Sequence, residues 1–437
     1  MVRDTVSVEY LGMDVGVMAY TEGQPSAFEY SKSFLDSGIE LSPLYMPLGE
    51  GVYTFPTLNL ETFKGLAGLF ADSLPDDFGN RILNAWTARN GRSPDSITPL
   101  ERLKYTGKRG MGALEYHPMK SMNGFNASQQ VEIIELIKIA QDVLDTRSSL
   151  EVDLNNNGAE DKDAMLALLS VGTSAGGARP KAVLAFNEDY SQVRSGQTDV
   201  PDGFTHYLMK FDGVSEHNVN KETFGDPMGY GAMEYVYHQM ALKCGIEMMP
   251  CKLLQEGDRQ HFITQRFDRV GNEKIHIQSL NGLAHVDYKK PGSFSYEEIF
   301  NVNRHLRLTA AEAEQLFRRM VFNVVSRNHD DHSKNFGYML VDNQWKLAPA
   351  YDLAYSYKPN SFWVDQHWMT LNGKRDNFEM ADFLSFEKLS PIFNEQRIRQ
   401  ILEEVIEAVS SWTSLAVQSN VPKVLIERVE QNLRLKF

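Results

Sequence analysis

Three oxygen-bearing side chains in the last third of the chain have the types and spacing to work on a phosphate. Asp330 and Asn335 lie in the cluster N-H-D-D-H-S-K-N, and Asp352 closes the box A-P-A-Y-D. One carboxylate can orient an attacking hydroxyl and accept its proton. A second carboxylate and an amide oxygen suit Mg²⁺, a hard cation that prefers oxygen ligands. The D-x-x-x-x-N spacing is the one by which a catalytic loop sets a base and a metal ligand side by side. Lys334 and His332 are placed to offset phosphate charge. The competing reading is a hydrolytic metal centre of His329, Asp330, Asp331 and His332, for which no further spaced ligand stands out.

These groups need a scaffold, and the flanking residues supply its pattern. Phe317, Met320, Val321 and Val324 recur at helix spacing and predict a helix over 310–328. After the polar cluster, strands are expected at Phe336–Val341 and Gln344–Leu347, joined by Asp342-Asn343 as a tight turn. Pro349 ends the second strand. Upstream, Tyr207–Phe211 reads as a strand bearing Lys210, a residue placed to pair with nucleotide phosphates. Tyr230–Cys244 reads as a helix, with Glu234 as a candidate partner for such a lysine. Leu166–Lys181 is a short apolar helix and then a small-residue loop ahead of the strand Ala182–Phe186. Glycines let backbone N–H groups approach a phosphate closely, although a plain flexible loop fits that stretch equally well. Gly107–Tyr116 carries three glycines without the closing Lys-Ser/Thr of a P-loop, so a structural turn is the better reading.

The chain opens on strand-like alternation at Val6–Leu11, Gly16–Tyr20 and Phe28–Tyr30. Pro-punctuated segments at Leu41–Leu44 and Met46–Leu48 read as extended. An amphipathic helix is expected over 128–145, and Asp153–Asp163 reads as a polar surface run. Helical patterns at 296–304, 310–328, 383–388, 395–412 and 422–435 dominate after residue 268. A β-rich half followed by an α-rich half predicts an α+β, two-lobed protein-kinase-like fold.

The 437 residues can bury a sizeable core, with 42% hydrophobic residues. No apolar run approaches a membrane span and no signal-peptide pattern opens the chain. Two cysteines, Cys244 and Cys251, argue against a disulfide framework and for a reducing cytoplasm. A net charge of −14 argues against a general nucleic-acid binder, whose surface must neutralise phosphates.

The assembled motifs resemble the HipA family, the serine/threonine kinase toxins of bacterial toxin–antitoxin pairs. L-A-G-L-F-A-D-S-L-P-D and R-G-M-G-A-L-E-Y are similar to that family's N-terminal subdomain, expected over 1–120. G-G-A-R-P-K, Q-R-F-D-R, N-H-D-D-H-S-K-N and A-P-A-Y-D-L are similar to its kinase core, expected over 121–437. Within that core the resemblance implies an N-lobe part at about 160–267 and a helical C-lobe at about 268–437. It implies ATP and Mg²⁺ as cofactors, with Asp330 as catalytic base and Asn335 and Asp352 on the metal. Lys210 would contact the phosphates. Gly176, Gly177, Ala178, Arg179 and Lys181 would form the phosphate loop. Gln265, Arg266 and Phe267 would frame adenine, with His332, Lys334 and Tyr351 also lining the nucleotide site. Ser174 matches the family's autophosphorylation site, with Ser170 and Thr173 close by. The implied partners are a protein substrate and a small helix-turn-helix antitoxin of HipB type, with DNA reached only through it.

Three departures stand out. Gln265 replaces an acidic residue, Pro180 removes an N–H donor from the phosphate loop, and Asp331 adds a carboxylate beside the base, which would raise its neighbour's pKa. Two other functions stay open: a nucleotide-binding co-repressor working through a DNA-binding partner, and a small-molecule kinase.

Overall fold

In the strand Asp4–Tyr10, Val6, Val8 and Tyr10 are buried while Thr5, Ser7 and Glu9 are not, the period-2 pattern of a half-covered sheet. It forms a hairpin with Met13–Tyr20 through Leu11-Gly12, both at positive φ. The sheet has five strands in the order Val52–Tyr53, Ala27–Tyr30, Met13–Tyr20, Asp4–Tyr10, Leu114–His117. Gly16 pairs with Tyr30, and a Cβ there would lie 2.1 Å from the Glu29 carbonyl oxygen, so only glycine permits that approach.

The structure, a computed structural model, describes residues 4–75, 77–89, 91–119, 133–145, 180–215, 225–226 and 228–437. The expectations at residues 128–132, Asp153–Asp163, Ser170, Thr173, Ser174, Gly176, Gly177, Ala178 and Arg179 lie outside the described residues.

A second five-stranded sheet has the order Cys251–Glu256, Arg259–Gln265, Phe204–Lys210, Lys181–Asn187, Val193–Ser195. Alternation gives it two different faces. Ala182, Leu184, Phe186, Tyr207, Met209 and Ile263 pack on Leu136, Ile137 and Ala140 of the helix Ile133–Asp145 and on Phe78 and Ile82 of the helix Asp77–Arg89. Lys181 and Lys210 are directly paired across the two central strands, so both side chains project to the opposite face.

Chain contacts group Met1–Glu40, Leu48–Gly231 and Lys252–Ile277 in one unit, and Leu41–Pro47, Ala232–Cys251 and Gln278–Phe437 in the other. Both sheets above belong mainly to the first unit. The Leu41–Leu48 stretch is not extended: Met46 donates to the Ser42 carbonyl at 2.9 Å, closing a turn.

The second unit is mostly helical. Thr309 and Glu312 form a capping box at the start of Ala310–Val325, and Ser295 with Glu298 does the same for Tyr296–His305. Phe300, Phe317, Phe386 and Phe393 form an aromatic cluster between these helices and Glu395–Ser410. Asp342 and Asn343, with φ of 51° and 57°, make the expected turn between Gly337–Val341 and Gln344–Leu347. No helix among the described residues is long and apolar enough to cross a membrane.

Asp212 joins chain segments within the first unit. Its carboxylate accepts from the N–H groups of Gly229 at 2.8 Å, Gly231 at 3.2 Å and Gln260 at 3.2 Å. Its own N–H donates to His261 Nδ1 at 2.9 Å, so that nitrogen must be unprotonated. Burial accordingly pushes the His261 ring down to about 4. His285 is also pushed to about 4 by burial, and burial lowers His206, His238 and His329.

The sign of the pH effect follows. Below about pH 6.5 the unfolded chain takes up protons at these rings, while in the folded chain His261 and His285 refuse them until about pH 4. Stability is therefore lost as pH falls through this window. Urea midpoints measured from pH 7 to pH 5 should drop steadily, and His261→Gln should flatten the slope. A midpoint constant over that range would show that these rings titrate alike in both states.

Candidate active site

The helix Ala310–Val325 delivers the chain to the polar loop, and the loop is fastened at several points before it reaches Asp330. Ser326 caps the helix, and Arg327 turns at φ 60°. Asn328 N–H returns to the Asn323 carbonyl at 2.9 Å. His329 N–H donates to the Ser356 carbonyl at 3.1 Å, and Ser356 N–H donates to the Arg327 carbonyl at 3.0 Å. The His329 ring is fully buried, 4.1 Å from the His367 ring.

Two adjacent aspartates then take opposite directions. The Asp331 side chain has no exposure, while that of Asp330 is 40% exposed. Asp331 Oδ2 accepts from the Tyr296 hydroxyl at 2.6 Å and from His367 Nδ1 at 2.9 Å. Its Oδ1 accepts from the Trp368 N–H at 2.7 Å, with the Met369 N–H at 3.4 Å. Facing a carboxylate, His367 Nδ1 must carry its hydrogen. The network continues inward with one polarity: Asn328 Nδ2 donates to Asn323 Oδ1 at 2.9 Å, and Asn323 Nδ2 donates to the Tyr296 hydroxyl at 3.1 Å. Burial, then the charge of Asp331, raises the Tyr296 phenol well above its ordinary value.

This geometry changes two sequence readings. Asp331 is an anchor for the loop and not a second carboxylate presented beside Asp330. The hydrolytic centre also loses two of its four ligands, since both Asp331 oxygens are occupied and His329 is buried.

Asn335 Nδ2 donates to the Asp330 carbonyl at 2.7 Å, which fixes the amide and reserves its oxygen for another partner. Asn335 N–H donates to the His332 carbonyl at 2.9 Å, closing the short turn Ser333–Asn335. His332 Nε2 lies 3.6 Å from Asp330 Oδ1. The Lys334 ammonium lies 4.6 Å from the centre of the Tyr288 ring. Ser333 Oγ donates to the Val286 carbonyl at 3.0 Å, pinning the turn from below.

The hairpin carries the chain back toward this turn. Ala348 N–H donates to the Gly337 carbonyl at 2.9 Å, and Ala350 N–H to the Glu247 carbonyl at 2.8 Å. Tyr351 then donates its hydroxyl to the Lys334 carbonyl at 2.7 Å. That bond joins the neighbour of Asn335 to the neighbour of Asp352, bringing the two stretches that bear the expected metal ligands to one place. Asp352 itself holds φ at 57°, a left-handed conformation that is costly for a residue with a side chain. A carboxylate and a freed amide oxygen on adjoining turns are a donor set that Mg²⁺ accepts.

In the other unit, Lys181 and Lys210 are 3% and 5% exposed and occupy directly opposed positions on one sheet face. Like charges so placed repel, so each needs compensating partners around it. Gln265 ends the neighbouring strand. The Arg266 side chain turns inward: its Nε and Nη2 bind the two oxygens of Asp268 at 2.8 Å and 2.7 Å. Its part in framing a base is therefore confined to its backbone. Asp268 also accepts from the Gly112 N–H at 2.7 Å and from Arg269 at 2.8 Å. Burial opposes its ionisation, yet the two guanidinium groups hold its carboxyl well below the usual range. The Gly107–Tyr116 segment is thus tied to Asp268 and Arg269, as a structural turn should be.

Sequence reasoning missed Tyr296, His367 and Asn323 as supports of the loop. The cue available was their polar type inside apolar stretches; their partners lie 35 and 36 residues away for the first two. Asp331→Asn should lower stability by about 3–5 kcal/mol, because it strips the charge from a buried, fully bonded acceptor. Asp330→Asn, on an exposed side chain, should leave the thermal midpoint within about a degree. Equal midpoints for the two variants would refute the anchoring role.

Comparison with known proteins agrees with this architecture. The HipA N-terminal domain family matches residues 6–117, and the HipA-like C-terminal domain family matches residues 173–413. A Haemophilus influenzae protein described as "Putative kinase" is 26% identical over 210 residues, covering 41% of this chain and 61% of its own. A Sinorhizobium fredii protein, "Putative kinase Y4mE", is 26% identical over 125 residues, covering 26% of this chain and 30% of its own. The chain thus spans less than two thirds of either relative. The fold is similar to that of HipA in a complex of the Shewanella oneidensis MR-1 toxin–antitoxin proteins HipA and HipB with operator DNA. The TM-score is 0.67 at 16% identity, over 98% of this chain and 94% of that one. With family matches over residues 6–117 and 173–413, the chain belongs to the HipA family.

Proposed function

We propose that the chain is an ATP- and Mg²⁺-dependent serine/threonine protein kinase that acts as the toxin of a toxin–antitoxin pair. The observation that carries this reading is the exposed Asp330 carboxylate on a loop fastened through Asp331, with the Asn335 amide turned by the Asp330 carbonyl.

In this reading Asp330 orients the acceptor hydroxyl and takes its proton. Asn335 and Asp352 hold Mg²⁺, which neutralises phosphate charge. Lys210 and Lys181 face the phosphates, joined by the loop Gly176–Arg179. Gln265 to Phe267 frame adenine, and Lys334, His332 and Tyr351 line the nucleotide site. Little covalent chemistry is required of the protein; fixed placement and charge supply the rate. Phosphorylation of Ser174 adds negative charge beside an anion-binding loop and switches the enzyme off. A small helix-turn-helix antitoxin restrains the kinase and brings it to DNA in the cytoplasm, as the HipA–HipB–operator assembly of the relative suggests. The same assembly favours a second role as co-repressor, which Asp330→Ala would retain if repression needs binding alone.

The test is transfer of labelled phosphate from ATP with Mg²⁺ present. Asp330→Ala should lower transfer by about 10²–10⁴-fold while keeping the fold. Ser174→Ala should remain active, and the phosphorylated protein should bind ATP more weakly than the unmodified one. No transfer to any protein by the wild-type chain rejects the kinase reading. Transfer to a metabolite alone replaces it with a small-molecule kinase.

A further inference from the structure

The strands Asp4–Tyr10 and Leu114–His117 bring three metal-ligating side chains to one face of the N-terminal sheet. Their antiparallel register sets Glu9 opposite Glu115 and Ser7 opposite His117, so Glu9, Glu115 and His117 project together. One donor atom from each lies within 4.8 Å of the others. His117 Nε2 stands 3.5 Å from Glu9 Oε2 and 3.9 Å from Glu115 Oε2. That nitrogen is shielded from solvent and finds no hydrogen-bond partner among the described residues.

The geometry points to a zinc site formed by Glu9, Glu115 and His117, outside the phosphate-handling residues. Around a tetrahedral zinc, with bonds of about 2.0–2.2 Å, donor atoms sit roughly 3.3–3.5 Å apart. The two histidine–carboxylate separations, 3.5 Å and 3.9 Å, are close to this and too long for good hydrogen bonds. Two carboxylates directly opposed on adjacent strands repel, and a divalent cation removes that repulsion. An imidazole with two carboxylates is a donor set zinc accepts, with water in the remaining position. A supporting contact is also in place. Lys274 Nζ binds Glu115 Oε1 at 2.5 Å and the Lys108 carbonyl at 2.8 Å, which fixes that carboxylate with Oε2 on the histidine side. Bound zinc would cross-link the adjacent strands Asp4–Tyr10 and Leu114–His117.

The test uses the full chain, stripped with chelator, equilibrated with zinc chloride and dialysed. Metal content by mass spectrometry and the visible spectrum of a cobalt-substituted sample are the readouts. The wild type should retain one zinc and give tetrahedral cobalt bands. Asp330→Ala should do the same, because it leaves this sheet untouched. His117→Gln and Glu9→Gln should each weaken zinc binding at least tenfold with unchanged circular dichroism. Should one of these fail to fold, the other decides. A wild type that keeps no zinc overturns the proposal, and so does retention by His117→Gln equal to the wild type. Neither outcome bears on phosphate transfer.

Discussion

A single buried carboxylate holds the loop in its working shape. The Asp331 side chain has no exposure to solvent, and its oxygens are satisfied instead by donors from Tyr296, His367 and the backbone of Trp368. Charge-assisted hydrogen bonds contribute about 1.5–3 kcal/mol each, and removing one partner of such a buried group costs more than the bond itself. The preceding residue, Asp330, is left 40% exposed. Exposure of Asp330 thus goes with the tight enclosure of its neighbour.

The same logic recurs around Asp268 in the strand-rich unit. Its carboxylate is enclosed by Arg266, Arg269 and the Gly112 N–H, and so joins the end of one sheet to the glycine-rich turn that leads into the other. Gly112 is required there because φ is 76° and an added Cβ would lie 3.1 Å from the Ile277 nitrogen. Both units therefore use one desolvated aspartate as a hub for segments far apart in sequence. At Asp268 the hub specifies an arrangement more than it adds net stability, since the carboxylate and its guanidinium partners must be stripped of water first.

Much of this was legible from local pattern. Thr309 with Glu312 marks the start of the helix that feeds the loop, and Asp342-Asn343 between two apolar runs marks the hairpin, because capping and left-handed turn conformations are set by neighbouring residues. The α+β fold class and the family also followed from motifs in order along the chain. The orientation of Arg266 did not, since the strand pattern shows which face a residue occupies only while the strand lasts, and Arg266 lies just past its end.

What the residues alone determined was the inventory: two carboxylates and an amide spaced for a phosphate and its cation, one lysine on a strand and one closing a small-residue loop, and elements whose periodicity fixes their type. The spacing to Asn335 already marked Asp330 as the candidate base; that Asp331 is an internal anchor belonged to the tertiary structure. The two aspartates share one chemistry. They become different only when donors carried by Tyr296 and by the His367–Trp368 stretch arrive to solvate one of them inside the core.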